Sequence, residues 1–371
     1  MRFSVDANII KKIIPSISGG LSKDKNSILS NYHVSIADNV LSVTSSNEIV
    51  QINITAPIES EGEHEFLARP DLFDRLKALN GEIVFELEGN LLTIKNGSYK
   101  TTAKIFQSEG YPLESIDNYK IVGSFESDDV LELLKTHIAS SKEDEQTREF
   151  SGILIEIDQN KVNFVATNRS RLFWVSKAVD NDINFYCIVE KEGIMQLSRI
   201  LKSNGKVSVL YKSEGDNVSK IAFQTASTTV ISKVINGQFP QYQAVLLEDA
   251  QNVSCIVFEK ELLKNSLQKV LALSSDELSV VEFNIQDNTV ELNVTNKEGE
   301  LASDIVEFSP VKDKVHTPIV LNINGRYTVD FLNNIQANIV YFYYKEPIKP
   351  LELKATSDNQ ISYVYVMTPI R

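Results

Sequence analysis

At 371 residues, with 42% hydrophobic and 23% charged residues, the chain has room for two or three domains of ordinary globular composition. No apolar run approaches the roughly 20 residues of a membrane-spanning helix, and the opening Met1–Asp6 has no apolar signal-peptide core behind it. The two cysteines, Cys187 and Cys255, allow neither a disulfide framework nor a thiolate cluster, so the expected compartment is the cytoplasm, with no cofactor or metal. A net charge of −13 excludes a surface that is basic throughout.

Phe3-Ser-Val-Asp6 reads as an extended start that turns into a helix carrying Ile9, Ile10, Ile13 and Ile14, with Asp6 where a cap belongs. A charged loop over 18–26 follows, and Tyr32–Thr44 then alternates as two short strands around Asp38-Asn39. Phe66–Leu76 starts a second helix after Arg69-Pro70, and Ile83–Ile94 forms another hairpin around Gly89-Asn90. After the punctuation of Tyr111-Pro112, Phe125–Leu134 starts a third helix whose acidic first turn is Asp128-Asp129. A charged loop at 141–148, a hairpin around Gln159-Asn160 and a helix start at Cys187–Leu197 come next. Beyond Phe239-Pro240 the pattern runs again: Phe258–Leu267, a hairpin around Asp287-Asn288, Leu321–Phe331 and an apolar strand Tyr341–Tyr344.

These elements form a repeat. The opening pattern starts at Phe3, Phe125 and Phe258, at intervals of 122 and 133 residues, and the second helix start follows after 63, 62 and 63 residues. Three copies of one supersecondary plan divide the chain into domains 1–122, 123–249 and 250–371, each with a core of its own. The predicted class is α+β, with two helices per copy on antiparallel sheets. Windows 6–17, 70–79, 128–142, 190–202, 259–271 and 325–334 together carry +2, so the rest of the chain carries −15. Near-neutral helices in an acidic body suit a helical surface that must not repel a polyanion, and on this count suit helix faces with ordinary solvated charges equally well.

Catalytic patterns are missing. There is no Gly-rich phosphate loop, no Gly-x-Ser-x-Gly elbow and no His-Glu-x-x-His pair, and the four histidines are scattered. The expectation is a protein that is not an enzyme.

Taken together, the threefold repeat, Val165-Ala-Thr-Asn-Arg-Ser-Arg-Leu172, Ile235-Asn-Gly-Gln-Phe-Pro-Gln-Tyr242 and the tail Tyr365-Val-Met-Thr-Pro-Ile-Arg371 resemble the β subunit of bacterial DNA polymerase III, the sliding-clamp family. The resemblance runs the full length. The chain departs from the family at Asn168-Arg169-Ser170, where Asp-Gly-His is usual, and at Thr368, an extra residue before Pro369. Glu190-Lys191 stands where a basic pair is usual, and the loop before Gly152 is one residue shorter.

The resemblance implies a head-to-tail homodimeric ring that encircles double-stranded DNA and tethers a replicative DNA polymerase and other proteins bearing a clamp-binding motif, with a clamp loader needed to open it. No membrane partner is implied. Matching positions for DNA contact are Lys23, Lys25, Arg69, Arg148, Lys191, Arg199 and Lys202. A groove for a short apolar partner peptide is implied between the second and third copies. From the second copy it takes Phe150, Thr167, Arg169, Ser170, Arg171, Leu172, Pro240 and Val245. From the third it takes Leu278, Pro350, Val366, Met367, Thr368, Pro369, Ile370 and Arg371. Arg171 and Arg371 are expected to frame peptide carbonyls, and Arg169 to make the mouth narrower or more polar. The implied dimer seam joins edge strands near Ala103, Lys104, Ile105 and Phe106 to edge strands near Ala272 and Leu273. Two other readings fit the residues: a repeat-built protein-interaction scaffold that never encircles DNA, and an enzyme with an unlisted site.

Overall fold

The computed structural model describes all residues except 141–144, 159, 181–182, 248–252, 275–277, 312–316 and 371. Helices occupy all six predicted windows: α1 Ala7–Ile17, α2 Pro70–Leu76, α3 Ser127–Leu134, α4 Lys191–Ile200, α5 Lys260–Leu271 and α6 Gly325–Asn333. Asp6 caps α1, its carboxylate accepting the Asn8 N–H at 2.8 Å, which satisfies one of the first-turn donors a helix leaves open. Asn324 does the same for α6 through Tyr327 N–H, whereas Glu259 makes no side-chain cap for α5. The buried stripe of α1 is Ile10, Ile13, Ile14 and Ile17; Ile9, expected on it, is only half-buried. No helix among the described residues is long and apolar enough to cross a membrane.

The hairpin tips fold for the predicted reason. Asp38 and Asn39 (φ 50° and 60°), Gly89 (56°), Asn160 (61°) and Asp287 (22°) all take positive φ, which lets a tight turn match the strand twist. Tyr341–Tyr344 alternates, with Phe342 and Tyr344 buried and Tyr341 exposed, so one face meets the core.

The chain packs as two units. The first holds Met1–Asp128 and Glu192–Val234. It contains a five-stranded sheet in the order Glu59–Glu61, Arg2–Asp6, Glu82–Glu88, Leu91–Asn96, Tyr99–Lys104. Its other sheet is antiparallel and runs from Lys120–Glu126 through Lys206–Glu214, Asn217–Gln224, Thr228–Ile235, Val50–Pro57, Val40–Ser46 and Tyr32–Ala37 to His64–Ala68.

The second unit holds Asp129–Lys191 and Ile235–Arg371. Its larger sheet runs Phe185–Val189, Ile153–Asp158, Lys161–Thr167, Arg171–Ala178, Ser362–Met367, Leu351–Thr356, Ile339–Tyr344, Ser254–Glu259. A four-stranded sheet, Leu301–Glu307, Thr289–Thr295, Val280–Gln286, Ile319–Asn324, completes it.

The unit boundaries cut through the middle repeat, and strand pairing explains why. Thr228–Ser232 pairs with Val50–Ile54, drawing the later half of that repeat to the first unit, while Arg171–Ser176 pairs with Ser362–Met367 and holds the earlier half in the second.

Candidate functional site

In the second unit, strand alternation sorts the predicted groove residues onto two faces. Leu172 and Val366 are register partners and share a buried cluster with Leu154, Val165, Ile188, Ile235, Phe239, Tyr242 and Val364. Trp174 and Leu246 pack against it, half-buried, and Trp174 meets the Tyr242 ring edge-on at 5.4 Å. Hydrogen bonds hold these rings: Trp174 Nε1 donates to Asn163 at 2.9 Å, Tyr242 Oη to Glu156 at 2.9 Å, and Phe239 N–H to Tyr186 Oη at 2.6 Å. Buried indole and phenol groups need such partners.

Arg171 and Met367, one residue along their strands, face the opposite side. The Arg171 guanidinium bonds Asp330 at 2.9 Å, Tyr365 Oη at 3.2 Å and the Ile138 carbonyl at 2.5 Å, and it lies 3.9 Å from the centroid of the Tyr327 ring. Its side chain is only 11% exposed. Instead of framing a peptide at a rim, Arg171 braces α6 against the segment after α3. Met367 is buried on the same face, its sulfur 3.8 Å from Thr328 Oγ1.

The turn between the strands Lys161–Thr167 and Arg171–Ala178 is built from its own side chains. Thr167 Oγ1 donates to the Arg171 carbonyl at 2.7 Å and lies 3.2 Å from Arg169 N–H, while Asn168 Oδ1 accepts Ser170 and Arg171 N–H at 3.1 and 3.0 Å. Arg169 sits at φ 73° with its guanidinium 4.6 Å from the Phe150 ring centroid. The tail docks on this turn through Thr368 N–H to the Ser170 carbonyl at 3.0 Å, and Ile370 N–H bonds the Asn322 carbonyl at 2.7 Å. Pro369 is buried, Ile370 and Pro350 are half-buried, and Val245 and Leu278 are exposed. Arg371 lies outside the described residues. Leu278 and Pro350 are not among the described residues of the cluster or those packed against it.

Sequence reasoning missed Trp174, Val364, Leu246 and Glu352. The first two follow from period-two spacing with Leu172 and Val366. Glu352, buried and in register with Val366, accepts Leu247 N–H and lies 2.8 Å from Lys354, so it pins the segment that brings Leu246 to the cluster. A buried acid in an apolar strand is the signal that could have found it.

Of the predicted cations in the first unit, Lys23, Lys25, Arg199 and Lys202 are exposed and form no ion pair among the described residues. Arg69 is exposed but lies 3.2 Å from Asp71. Lys202 also lines a hollow of about 730 Å³ between α1 and α4 whose lining includes Lys12 and Lys206 and no acid. In the second unit, Arg148 lies 2.5 Å from Glu190, a buried acid, so the glutamate that replaces an expected cation is used to neutralise its neighbour. Burial and the nearby Arg171 lower the pKa of Lys191 from its ordinary value.

At the implied seam, Tyr99–Lys104 is an edge strand, as expected, but it ends before Ile105. Ile105 is buried, and Phe106, 47% exposed, exchanges two backbone hydrogen bonds with Leu67. Ala272 and Leu273 are not on an edge strand: Ala272 caps the C-terminus of α5 and Leu273 N–H bonds Val270. The free edge nearby in sequence is Leu301–Glu307, which exposes Leu301 and Ile305 by 64% and 62%.

The chain is similar to the beta sliding clamp of Buchnera aphidicola subsp. Acyrthosiphon pisum, 27% identical over 380 residues covering 99% of each chain. It is 22% identical over 384 residues to that of Escherichia coli strain K12, covering 100% of each. Its fold is similar to the crystal structure of the beta subunit from DNA polymerase of Streptococcus pyogenes, with a TM-score of 0.90 at 17% identity over 100% of each chain. A sliding clamp from Pseudomonas aeruginosa bound to griselimycin superposes with a TM-score of 0.89 at 21% identity, covering 100% of this chain and 99% of that one. Residues 125–241 match the central domain and 245–369 the C-terminal domain of the DNA polymerase III beta subunit, so the chain belongs to the DNA polymerase III β-subunit family.

Proposed function

We propose that the protein is a DNA sliding clamp, a non-catalytic ring of two identical chains that encircles duplex DNA and tethers a replicative polymerase. The observation that carries this reading is the strand–helix plan written three times, continuous with sliding clamps over the whole chain. The mechanism is topological. A closed ring cannot leave a long duplex sideways, so whatever it holds stays at high effective concentration beside the DNA. Sliding needs weak, interchangeable phosphate contacts; exposed cations on loops and helix ends, such as Lys23, Lys25, Arg199 and Lys202, have that character. Arg69 and Arg148, each beside a carboxylate, contribute less.

The apolar cluster around Leu172 and Val366 is the site we assign to short peptides of the polymerase and other partners. The domains are the three repeats, and the seam joins the edge Tyr99–Lys104 of one chain to the edge Leu301–Glu307 of the next. A head-to-tail contact of this kind closes if its rotation closes, and the exposed Lys100 and Lys104 complement the exposed Glu307 in charge. Opening such a ring requires a clamp loader.

The test is retention. Loaded on nicked circular DNA by a clamp loader, the protein should stay bound through gel filtration in high salt, and be released when the circle is linearised. Equal loss from circles and linear DNA would favour a scaffold that does not encircle DNA.

A further inference from the structure

Arg169 occupies a backbone conformation that only glycine adopts at no steric cost. At φ 73°, a side-chain-bearing residue gives up about 1 kcal/mol relative to glycine. The turn's own hydrogen bonds, from Thr167, Asn168 and the docked tail, hold it there. Strain retained by such surroundings concentrates at functional positions.

The side chain is placed as well as the backbone. Its guanidinium lies against Phe150, which fixes a flexible side chain, and among the described residues no acceptor engages its in-plane N–H donors. Its charge is also open. Arg148 is paired with Glu190 and Arg171 with Asp330, but among the described residues no carboxylate pairs with Arg169. In a chain of net charge −13, this leaves one pre-oriented cation at the end of the hairpin that presents Leu172.

The geometry points to Arg169 as the specificity-determining residue of the groove: it selects peptides that carry an aspartate or glutamate beside the apolar residues that pack on Leu172 and Val366. The inference rests on the groove reading above. A carboxylate matches the guanidinium fork and can accept two parallel N–H bonds, and the Phe150 stack reduces the rotamer entropy lost on pairing. A lysine at the same peptide position meets like charge instead.

Two short fluorescein-labelled peptides test this. They share one short core of leucine and phenylalanine, apolar enough to pack on Leu172 and Val366, and differ only in carrying two Asp or two Lys on the amino side. By fluorescence anisotropy, the wild-type protein should bind the acidic peptide about 10-fold more tightly, a preference that shrinks as salt is raised. The ratio should fall to about one in Arg169→Gly, keep an intermediate value in Arg169→Lys, and invert in Arg169→Glu. Arg169→Gly should fold normally, because glycine is at ease at this φ. Equal wild-type affinity for both peptides, or an undiminished preference in Arg169→Gly, overturns the selectivity while leaving the groove standing. Binding of neither peptide overturns the groove itself, and the selectivity with it.

Discussion

Arg171 shows how one side chain can belong to a binding motif in the sequence and to the frame in the structure. Its guanidinium serves a carbonyl, a phenol, a carboxylate and an aromatic face at once. Replacing it by methionine keeps the apolar stem but leaves the buried Tyr365 hydroxyl and the Ile138 carbonyl short of a donor. Arg171→Met should cost about 2–4 kcal/mol in urea unfolding, whereas Arg169→Gly should change stability by less than about 1 kcal/mol. Two histidines set a pH dependence. Burial lowers the pKa of His33 below its ordinary 6.5, outweighing Glu65 at 3.5 Å. Burial also lowers that of His137, with Lys191 adding to the effect and the hydrogen bond to the Leu134 carbonyl opposing it. With both folded-state values depressed, the unfolded chain takes up protons first, so stability falls as pH drops below about 6.5 and levels off below the folded values. The urea midpoint should decline between pH 7 and pH 5, and less steeply in His33→Gln.

Helices were the most legible elements because their apolar spacing and acidic or amide starts point to the same residues. Hairpins were legible from Asn, Asp and Gly at their tips, which positive φ requires. Faces and edges were not. Whether Arg171 joins Leu172 depends on strand parity, and which strand is left unpaired depends on a partner distant in the chain; neither is a local property. The resemblance placed the seam near Ala272 and Leu273, which lie at the end of α5 and not on a strand, and spacing did not single out the alternating Leu301–Glu307 edge. An edge with two large apolar side chains exposed invites pairing. If it forms the seam, Ile305→Lys should raise the dimer dissociation constant at least about 10-fold in sedimentation velocity with the monomer still folded. Leu262→Lys on α5, 52% exposed and off that edge, should leave it unchanged.

For the whole molecule, three copies of one plan were readable from spacing alone, since helix starts recur at 63, 62 and 63 residues. The two packing units were not readable, because they follow from strand pairing between segments far apart in sequence, such as Thr228–Ser232 with Val50–Ile54 and Arg171–Ser176 with Ser362–Met367. The near-neutral charge of the helices could be summed in advance, but not the pairing of Arg148 with Glu190, which needs the fold. One consequence concerns how such a chain can be divided. A fragment excised at residues 123–249 would lose the neighbour of Thr228–Ser232 on one flank and that of Arg171–Ser176 on the other. Such a fragment would be a two-ended template, able to recruit another copy of itself at each raw margin and grow into a filament. The covalent unit of duplication therefore carries two edges that the flanking copies cover, and those copies serve as its end-stops.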